Sequence, residues 1–160
     1  MSFGIKGTTP GNYAVVTPDG YECGDPTKSK IRTFPVLSGT SILRNGLVQW
    51  SGGKAVPADA STKPSELIGV AQRSLTGTAT GDNSICEVDI SIKDGVPFRV
   101  VASDGAVAAT DEGAGATCGA AANKVLMSGK TVDTGVFIIN RVYDTTNKIV
   151  EVVINEGYNA

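Results

Sequence analysis

Hydrolytic chemistry is the first function to test against the residue types of this chain, which contains serine, threonine and three cysteines but no histidine. A serine or cysteine nucleophile normally depends on a neighbouring base, and histidine is the commonest one. The G-x-S-x-G pattern of a nucleophile elbow does not occur in the sequence either. We therefore expect no catalytic residue and predict that the chain is not an enzyme.

Two glycine-containing segments resemble parts of nucleotide-binding loops. One is SGKT at residues 128–131, but Lys124 occupies the position where a phosphate-binding loop needs its first glycine. The other is GAG at residues 113–115, but Cys118 takes the place of the third glycine and Gly119 follows one residue too late. Neither segment reads as a junction between a strand and a helix. We expect a hairpin turn at the first, a flexible loop at the second, and no cofactor.

Acidic side chains offer a third kind of chemistry, as paired carboxylates or as cation ligands. Glu87 and Asp89 alternate along one predicted strand, which places both carboxylates on the same face. Asp111 and Glu112 are neighbours in a predicted loop, and the run GDN at residues 81–83 lacks the rest of a calcium-binding loop. Alternating acids commonly line a solvated strand face, and we expect that arrangement here, with no metal site.

The three cysteines are widely spaced, at Cys23, Cys86 and Cys118. A metal site would favour a close C-x-x-C pair completed by histidine, and the sequence has neither. We expect free thiols that serve as small apolar residues in a reducing compartment, with a structural disulfide as the alternative. Trp50 is interpreted as a core or interface residue, with a sugar-stacking platform as the alternative.

Composition indicates many short elements and excludes several partners. Glycine accounts for 20 of the 160 residues, and glycine destabilises the middle of a helix or strand, so it marks turns. The net charge is −2 and no run of Lys or Arg occurs, which argues against nucleic-acid binding. No apolar run approaches the roughly 18 residues of a membrane span, and no apolar leader follows Met1. We therefore expect neither membrane insertion nor a secretory signal.

Short β-like runs separated by turn residues follow one another from Phe34 onward. Apolar and polar residues alternate from Cys86 to Ile92, which is the pattern of a half-buried strand. The dipeptide Asn45-Gly46 predicts a hairpin turn, and Gly69 predicts a bulge or a close approach of two backbones. Other strands are expected at residues 35–37, 41–44, 47–50, 54–57, 66–74, 96–102, 106–108 and 124–127, and a terminal hairpin at residues 135–143 and 148–155.

These patterns predict an all-β fold, a compact small β-barrel or sandwich of about nine to eleven short strands, with an extended N-terminal arm and little helix. Residues 1–35 are expected to form the arm and residues 36–160 the β domain. The arm is rich in glycine, proline and polar residues, and its one β-like run covers residues 13–17. It either docks on a partner or neighbouring subunit, or packs irregularly on its own domain.

The order of four segments resembles the capsid decoration (cement) proteins of tailed bacteriophages. The segments are residues 36–51, AVPA at 55–58, LIGVA at 67–71 and GVPFRV at 95–100, and the similarity extends roughly over residues 36–155. The resemblance implies a virion protein on the capsid exterior, assembled in the host cytoplasm. It implies a homotrimer that binds the major capsid protein at three-fold or quasi-three-fold positions and holds neighbouring subunits together. It implies no catalytic, metal-binding or cofactor-binding residue.

Two other functions stay open from the sequence alone. One is another virion β protein, such as the base of a head fibre or a tail component. The other is a carbohydrate-binding module, which should expose several aromatic side chains in one groove. The single tryptophan, four tyrosines and four phenylalanines are dispersed along the sequence, so the decoration protein is the leading hypothesis.

Overall fold

The computed structural model of the chain describes residues 16–76, 84–103, 106–119, 122–127 and 135–158. These residues form short strands and three 3-10 helices of three or four residues, and no helix among them is long and apolar enough to cross a membrane. The prediction of an all-β fold with about nine to eleven short strands and little helix is confirmed. The strands are β1 (Glu22–Cys23), β2 (Ile31–Pro35), β3 (Leu47–Ser51), β4 (Lys54–Pro57), β5 (Leu67–Ala71), β6 (Ile85–Asp89), β7 (Phe98–Val101), β8 (Gly115–Cys118), β9 (Val125–Leu126), β10 (Phe137–Asp144) and β11 (Ile149–Ile154).

The strands build two antiparallel sheets. The six-stranded sheet has the order β1-β7-β11-β10-β8-β9, and the five-stranded sheet has the order β2-β6-β5-β3-β4. Each sheet curls back on itself: Val36, just after β2, bridges Ala55 of β4, and Ala102, just after β7, bridges Val125 of β9. Curling pairs backbone groups that an open sheet would leave free at its edges.

Two apolar clusters fill the molecule. The larger cluster joins residues of both sheets, and the smaller one consists of residues of the curled five-stranded sheet and its connections. Strand β5 contributes to both, because Leu67 and Val70 belong to the larger cluster while Ile68 and Ala71 belong to the smaller. A strand that is buried on both faces reads as a continuous apolar run, which explains the sequence LIGVA.

Two turns flank strand β3, and only one of them joins the strands of a hairpin. The β3–β4 hairpin turns at Gly52 and Gly53, whose φ angles of 56° and 81° are those of a tight hairpin turn. At Asn45 (φ 59°) the chain also turns, but the predicted hairpin is wrong. In the segment before this turn, Ile42 forms a bridge with Leu75. Strand β3, after the turn, pairs with β4 and β5 rather than with that segment. Distant backbone partners therefore outcompete the local pairing that the dipeptide favours.

Gly69 lies at a bulge and at a close approach of backbones, as predicted. The pairing of β5 with β3 slips by one residue between Val48 and Gln49, opposite this glycine. A Cβ atom at Gly69 would lie 2.2 Å from the carbonyl oxygen of Asp89 in β6. Only glycine lets these two strands approach so closely.

Four predicted strands are corrected by the structure. The strand predicted for residues 86–92 ends at Asp89, because Ser91–Asp94 forms a 3-10 helix that Gly95 (φ 86°) terminates. Residues 106–108 form no strand, and the strand of this region is β8, which pairs with β10. In place of the strands predicted at residues 35–37 and 41–44, Pro35 ends β2, and Val36 and Ile42 each form a single bridge. By contrast, the terminal hairpin β10–β11 is as predicted.

Part of the predicted N-terminal arm lies within the two sheets. Strand β1 pairs with β7, and β2 pairs with β6 over its whole length. The side chain of Tyr21 is 1% exposed, its hydroxyl donates to the Lys124 carbonyl (2.8 Å), and its ring packs on Phe137. For residues 21–35 these contacts favour packing on the chain's own domain. Residues 1–15 lie outside the described residues, and the division into arm and domain stays a prediction.

Candidate interaction surface

The two carboxylates predicted as a pair have separate structural partners. Asp89 is 2% exposed rather than solvated, because the residues leading into β2 cover it. Its carboxylate accepts hydrogen bonds from the Ser29 hydroxyl (2.6 Å) and from the backbone amides of Lys30 (3.2 Å) and Ser91 (3.0 Å). Burial alone would raise the pKa of Asp89, but these hydrogen bonds outweigh it, and the net pKa lies below the ordinary value. Glu87 instead forms an ion pair with Arg73.

The acidic pair in the predicted loop also has backbone partners. The carboxylate of Asp111 accepts a hydrogen bond from the Ala108 amide (2.8 Å), and that of Glu112 accepts one from the Val142 amide (3.1 Å). Within the described residues, no group of three or more acidic or cysteine side chains is placed to hold a metal ion. The segment GDN at residues 81–83 lies outside the described residues.

The glycine segments give no nucleotide-binding loop in the part of the chain that the structure covers. At residues 113–115 the predicted flexible loop is wrong, because Gly115 begins β8 and its neighbour Ala116 pairs with Phe137. A strand follows the glycines where a dinucleotide site would need the first turn of a helix. The segment SGKT at residues 128–131 lies outside the described residues.

The three cysteines are free thiols, as predicted. Cys86 and Cys118 are buried, and burial raises their pKa values to about 11 and about 12 respectively. Cys23 is half-buried, and burial also raises its pKa. All three thiols are therefore protonated near neutral pH and serve as packing groups.

Exposed apolar side chains concentrate around the five-stranded sheet. Among the described residues, six large hydrophobic side chains are exposed, and five of them lie in this sheet or in the connection between β2 and β3. A concentration of this kind marks an interaction surface more often than an isolated exposed residue does. The five are Ile31, Leu37, Leu43, Trp50 and Ile85.

One of these exposed side chains, Trp50, lines a groove beside two aromatic rings, here called the aromatic groove. The rings of Phe34 and Trp50 meet edge to face, with centroids 5.4 Å apart and planes at 81°. The groove encloses about 240 Å³, and 40% of Trp50 is exposed. Its walls comprise Phe34, Trp50, Leu67, Ile68, Ile90, Lys93 and Asp94.

Sequence reasoning missed this contact between two aromatic side chains. Phe34 is on β2 and Trp50 is on β3, and these strands are not neighbours in the sheet order. They meet because the sheet curls until Val36 bridges Ala55, which itself pairs with Trp50. No local pattern encodes that closure.

Charge is distributed unequally between the two sheets. The described part of residues 28–94, which holds the five-stranded sheet, carries more basic than acidic side chains, whereas the remaining described residues carry four basic and eight acidic ones. The first group comprises Lys28, Lys30, Arg32, Arg44, Lys54, Lys63, Arg73 and Lys93 against Asp59, Glu66, Glu87, Asp89 and Asp94.

A polar network covers part of the six-stranded sheet. Glu151 is 7% exposed and accepts hydrogen bonds from the Asn140 amide (2.8 Å) and the Tyr143 hydroxyl (3.3 Å). The guanidinium groups of Arg99 and Arg141 lie 4.5 Å and 5.3 Å from the centre of the Tyr143 ring. These contacts link β7, β10 and β11 through their side chains, so the network rigidifies the sheet.

A scan of the sequence against family models and a search of curated proteins find no match. The function is therefore inferred from how apolar and charged side chains are distributed over the two sheets.

Proposed function

We propose that the chain is a structural virion protein that binds the outer surface of a tailed-phage capsid and stabilises contacts between major capsid subunits. The observation that carries this proposal is the concentration of exposed apolar side chains around the five-stranded sheet, together with the aromatic groove that Trp50 lines. A protein that holds partners together needs such a surface, and it needs no reactive group. The resemblance of residues 36–155 to capsid decoration proteins points the same way.

Curled sheets suit a protein that assembles in many copies. Free strand edges invite pairing with other chains, and a high local concentration on a capsid would increase that hazard. In this chain Val36 and Ala55 bridge the two edges of the five-stranded sheet, and Ala102 and Val125 join β9 at one edge of the six-stranded sheet to the end of β7, the strand next to β1. A homotrimer would further multiply weak individual contacts, because linked binding sites act at a high effective concentration.

Binding to expanded, undecorated capsids tests the proposal directly. The purified chain should sediment with the capsids and should raise the temperature at which they release DNA. The native mass of the chain should be that of a trimer.

The variant Ile85→Ser removes a side chain that is 61% exposed. It should reduce the amount of chain that sediments with capsids, without unfolding the chain. Glu156→Ala, an exposed residue beyond β11, serves as the matched control and should bind normally. A stable monomer that does not bind capsids would contradict the proposal.

The arm is tested separately. Removing residues 1–35 would delete β1 and β2, so the informative truncation removes residues 1–15. If this segment reaches the capsid or a neighbouring protomer, the truncated chain should bind capsids more weakly. Undiminished binding would assign the contact to the two sheets.

A carbohydrate-binding module is the second candidate, favoured by the two aromatic side chains beside one groove. A sugar ring would stack on the exposed part of Trp50 and would change its fluorescence. Titration with a panel of soluble glycans distinguishes the two candidates. Saturable binding of one glycan, together with no binding to capsids, would favour this candidate.

A further inference from the structure

We propose that the aromatic groove binds an acidic protein segment that carries one bulky apolar side chain. The assignment of this segment to a capsid subunit rests on the proposed function, whereas its chemistry follows from the groove itself. Two features of the groove define that chemistry, its apolar volume and the basic side chains beside it.

The apolar part of the groove fits a single side chain. Its volume is about 240 Å³, and an engineered cavity of about 150 Å³ is enough to hold benzene. A leucine or phenylalanine side chain would therefore fill it, with Trp50 and Phe34 as walls and Ile68 as part of the lining. The groove is too small for a folded element, so the occupant is an extended segment with one anchor residue.

Basic side chains lie on one wall of this groove and along the neighbouring strand β2. Lys93 lines the groove, and Arg32 lies two residues before Phe34 on the same face of β2. The carbonyl of Lys30 accepts a hydrogen bond from the Ile90 amide (2.9 Å), which extends the β2 ladder and places Lys30 on that face too.

One acidic side chain lies among them. The Asp94 carboxylate lines the groove and is 3.4 Å from the Lys30 ammonium. Three cations against one carboxylate leave an excess of positive charge beside an apolar groove. Charge complementarity then selects an acidic partner segment, and the anchor side chain fixes its position.

A protein segment fits this surface better than nucleic acid does. Phosphate backbones are bound by rows of basic residues, and the sequence contains no run of Lys or Arg. Aromatic side chains can also stack on bases, however, so an oligonucleotide belongs in the test.

Trp50 provides the readout, because it is the only tryptophan in the chain. The probe is a short synthetic peptide with a central leucine between aspartates and glutamates, titrated into the full chain. Its binding should shift the tryptophan emission and should weaken as salt is added. Replacing the leucine by serine, or the acids by lysines, should weaken binding by about tenfold or more.

Charge reversal on the protein supplies the matched comparison. Arg32→Glu should weaken binding of the acidic peptide by about tenfold and should strengthen binding of the lysine peptide. Lys28→Glu is the control, because this side chain is 67% exposed and does not line the aromatic groove. It should leave both affinities nearly unchanged.

Several outcomes would overturn the inference. They are equal binding of the acidic and lysine peptides, tighter binding of a single-stranded oligonucleotide, and no change of emission with any peptide. If the peptide experiments give one of these outcomes but the chain still binds capsids, the proposed function stands. Only the proposed ligand of the aromatic groove is then wrong. If the acidic peptide binds as expected but capsids do not, the proposed function fails and the groove keeps its assignment.

Discussion

The Ser29 hydroxyl donates a hydrogen bond of 2.6 Å to the Asp89 carboxylate, joining the segment before β2 to the end of β6. The same carboxylate accepts the Lys30 and Ser91 backbone amides. One buried side chain thus fixes the entry into β2 and the start of the 3-10 helix that follows β6. Residues 29–30, assigned to an arm from the sequence, are anchored at this point.

Asp89→Ala should lower the free energy of unfolding by about 2–4 kcal/mol at pH 7, measured in urea. The reason is that two backbone amides and a hydroxyl, all bound to a buried carboxylate, lose their acceptor. Asp89→Asn keeps an acceptor and should lose about half as much. A loss below about 0.5 kcal/mol for the alanine variant would show that water replaces the carboxylate.

The stabilisation by Asp89 should depend on pH in a defined direction. Its folded-state pKa lies below the ordinary value, so the contribution is complete above the unfolded-state pKa of about 3.9. It is lost as the pH falls through the folded-state pKa. The difference in stability between the native chain and Asp89→Asn should therefore shrink below about pH 4. A difference that stays constant down to the acid-unfolding midpoint would contradict this origin.

Gly69→Ala should destabilise the fold by about 2–3 kcal/mol, because its Cβ would lie 2.2 Å from the Asp89 carbonyl oxygen and would force β5 away from β6. Gly39→Ala is the control. Gly39 also has a positive φ (79°), but no atom lies within 4 Å of its added Cβ. It should cost only the conformational strain of about 1 kcal/mol. Similar thermal midpoints for the two variants would argue against the steric explanation.

The Glu151 network should show energetic coupling between its members. The Tyr143 hydroxyl donates a hydrogen bond of 3.3 Å to the Glu151 carboxylate. Tyr143→Phe removes the donor of this bond, and Glu151→Gln removes the negative charge of its acceptor. A double-mutant cycle on urea unfolding should give a coupling of about 0.5–1.5 kcal/mol. Additive effects of the two substitutions would mean that the hydroxyl and carboxylate do not interact in solution.

Thiol reactivity should separate the three cysteines. With a pKa of about 11, only about one Cys86 thiol in a thousand is ionised at pH 8, and Cys118 is ionised still less. The half-buried Cys23 should therefore react first with an aromatic disulfide reagent, and all three should react in urea. Cys23→Ser should abolish the fast phase. Three equally fast thiols in the native chain would contradict the burial of Cys86 and Cys118.

Local features of the chain are the ones that the sequence predicts well. The β3–β4 hairpin follows from Gly52 and Gly53, which tolerate positive φ, and the terminal hairpin follows from two β-branched runs around a short turn. Gly69 was predicted as a point of close approach, although its partner in β6 was not. The failed hairpin at Asn45 shows the limit of such reasoning, because Ile42 found its backbone partner in Leu75, far along the chain.

By itself the sequence determined the all-β class, because apolar and polar residues alternate with a period of two, and it excluded histidine-based chemistry, because the chain contains no histidine. Only the tertiary structure decided that Asp89 is buried rather than solvated and that Phe34 meets Trp50. Both facts depend on how the five-stranded sheet curls and on what β2 covers. That closure is fixed by backbone pairing between distant segments, such as Val36 with Ala55, and alternation along one strand carries no information about its distant partner.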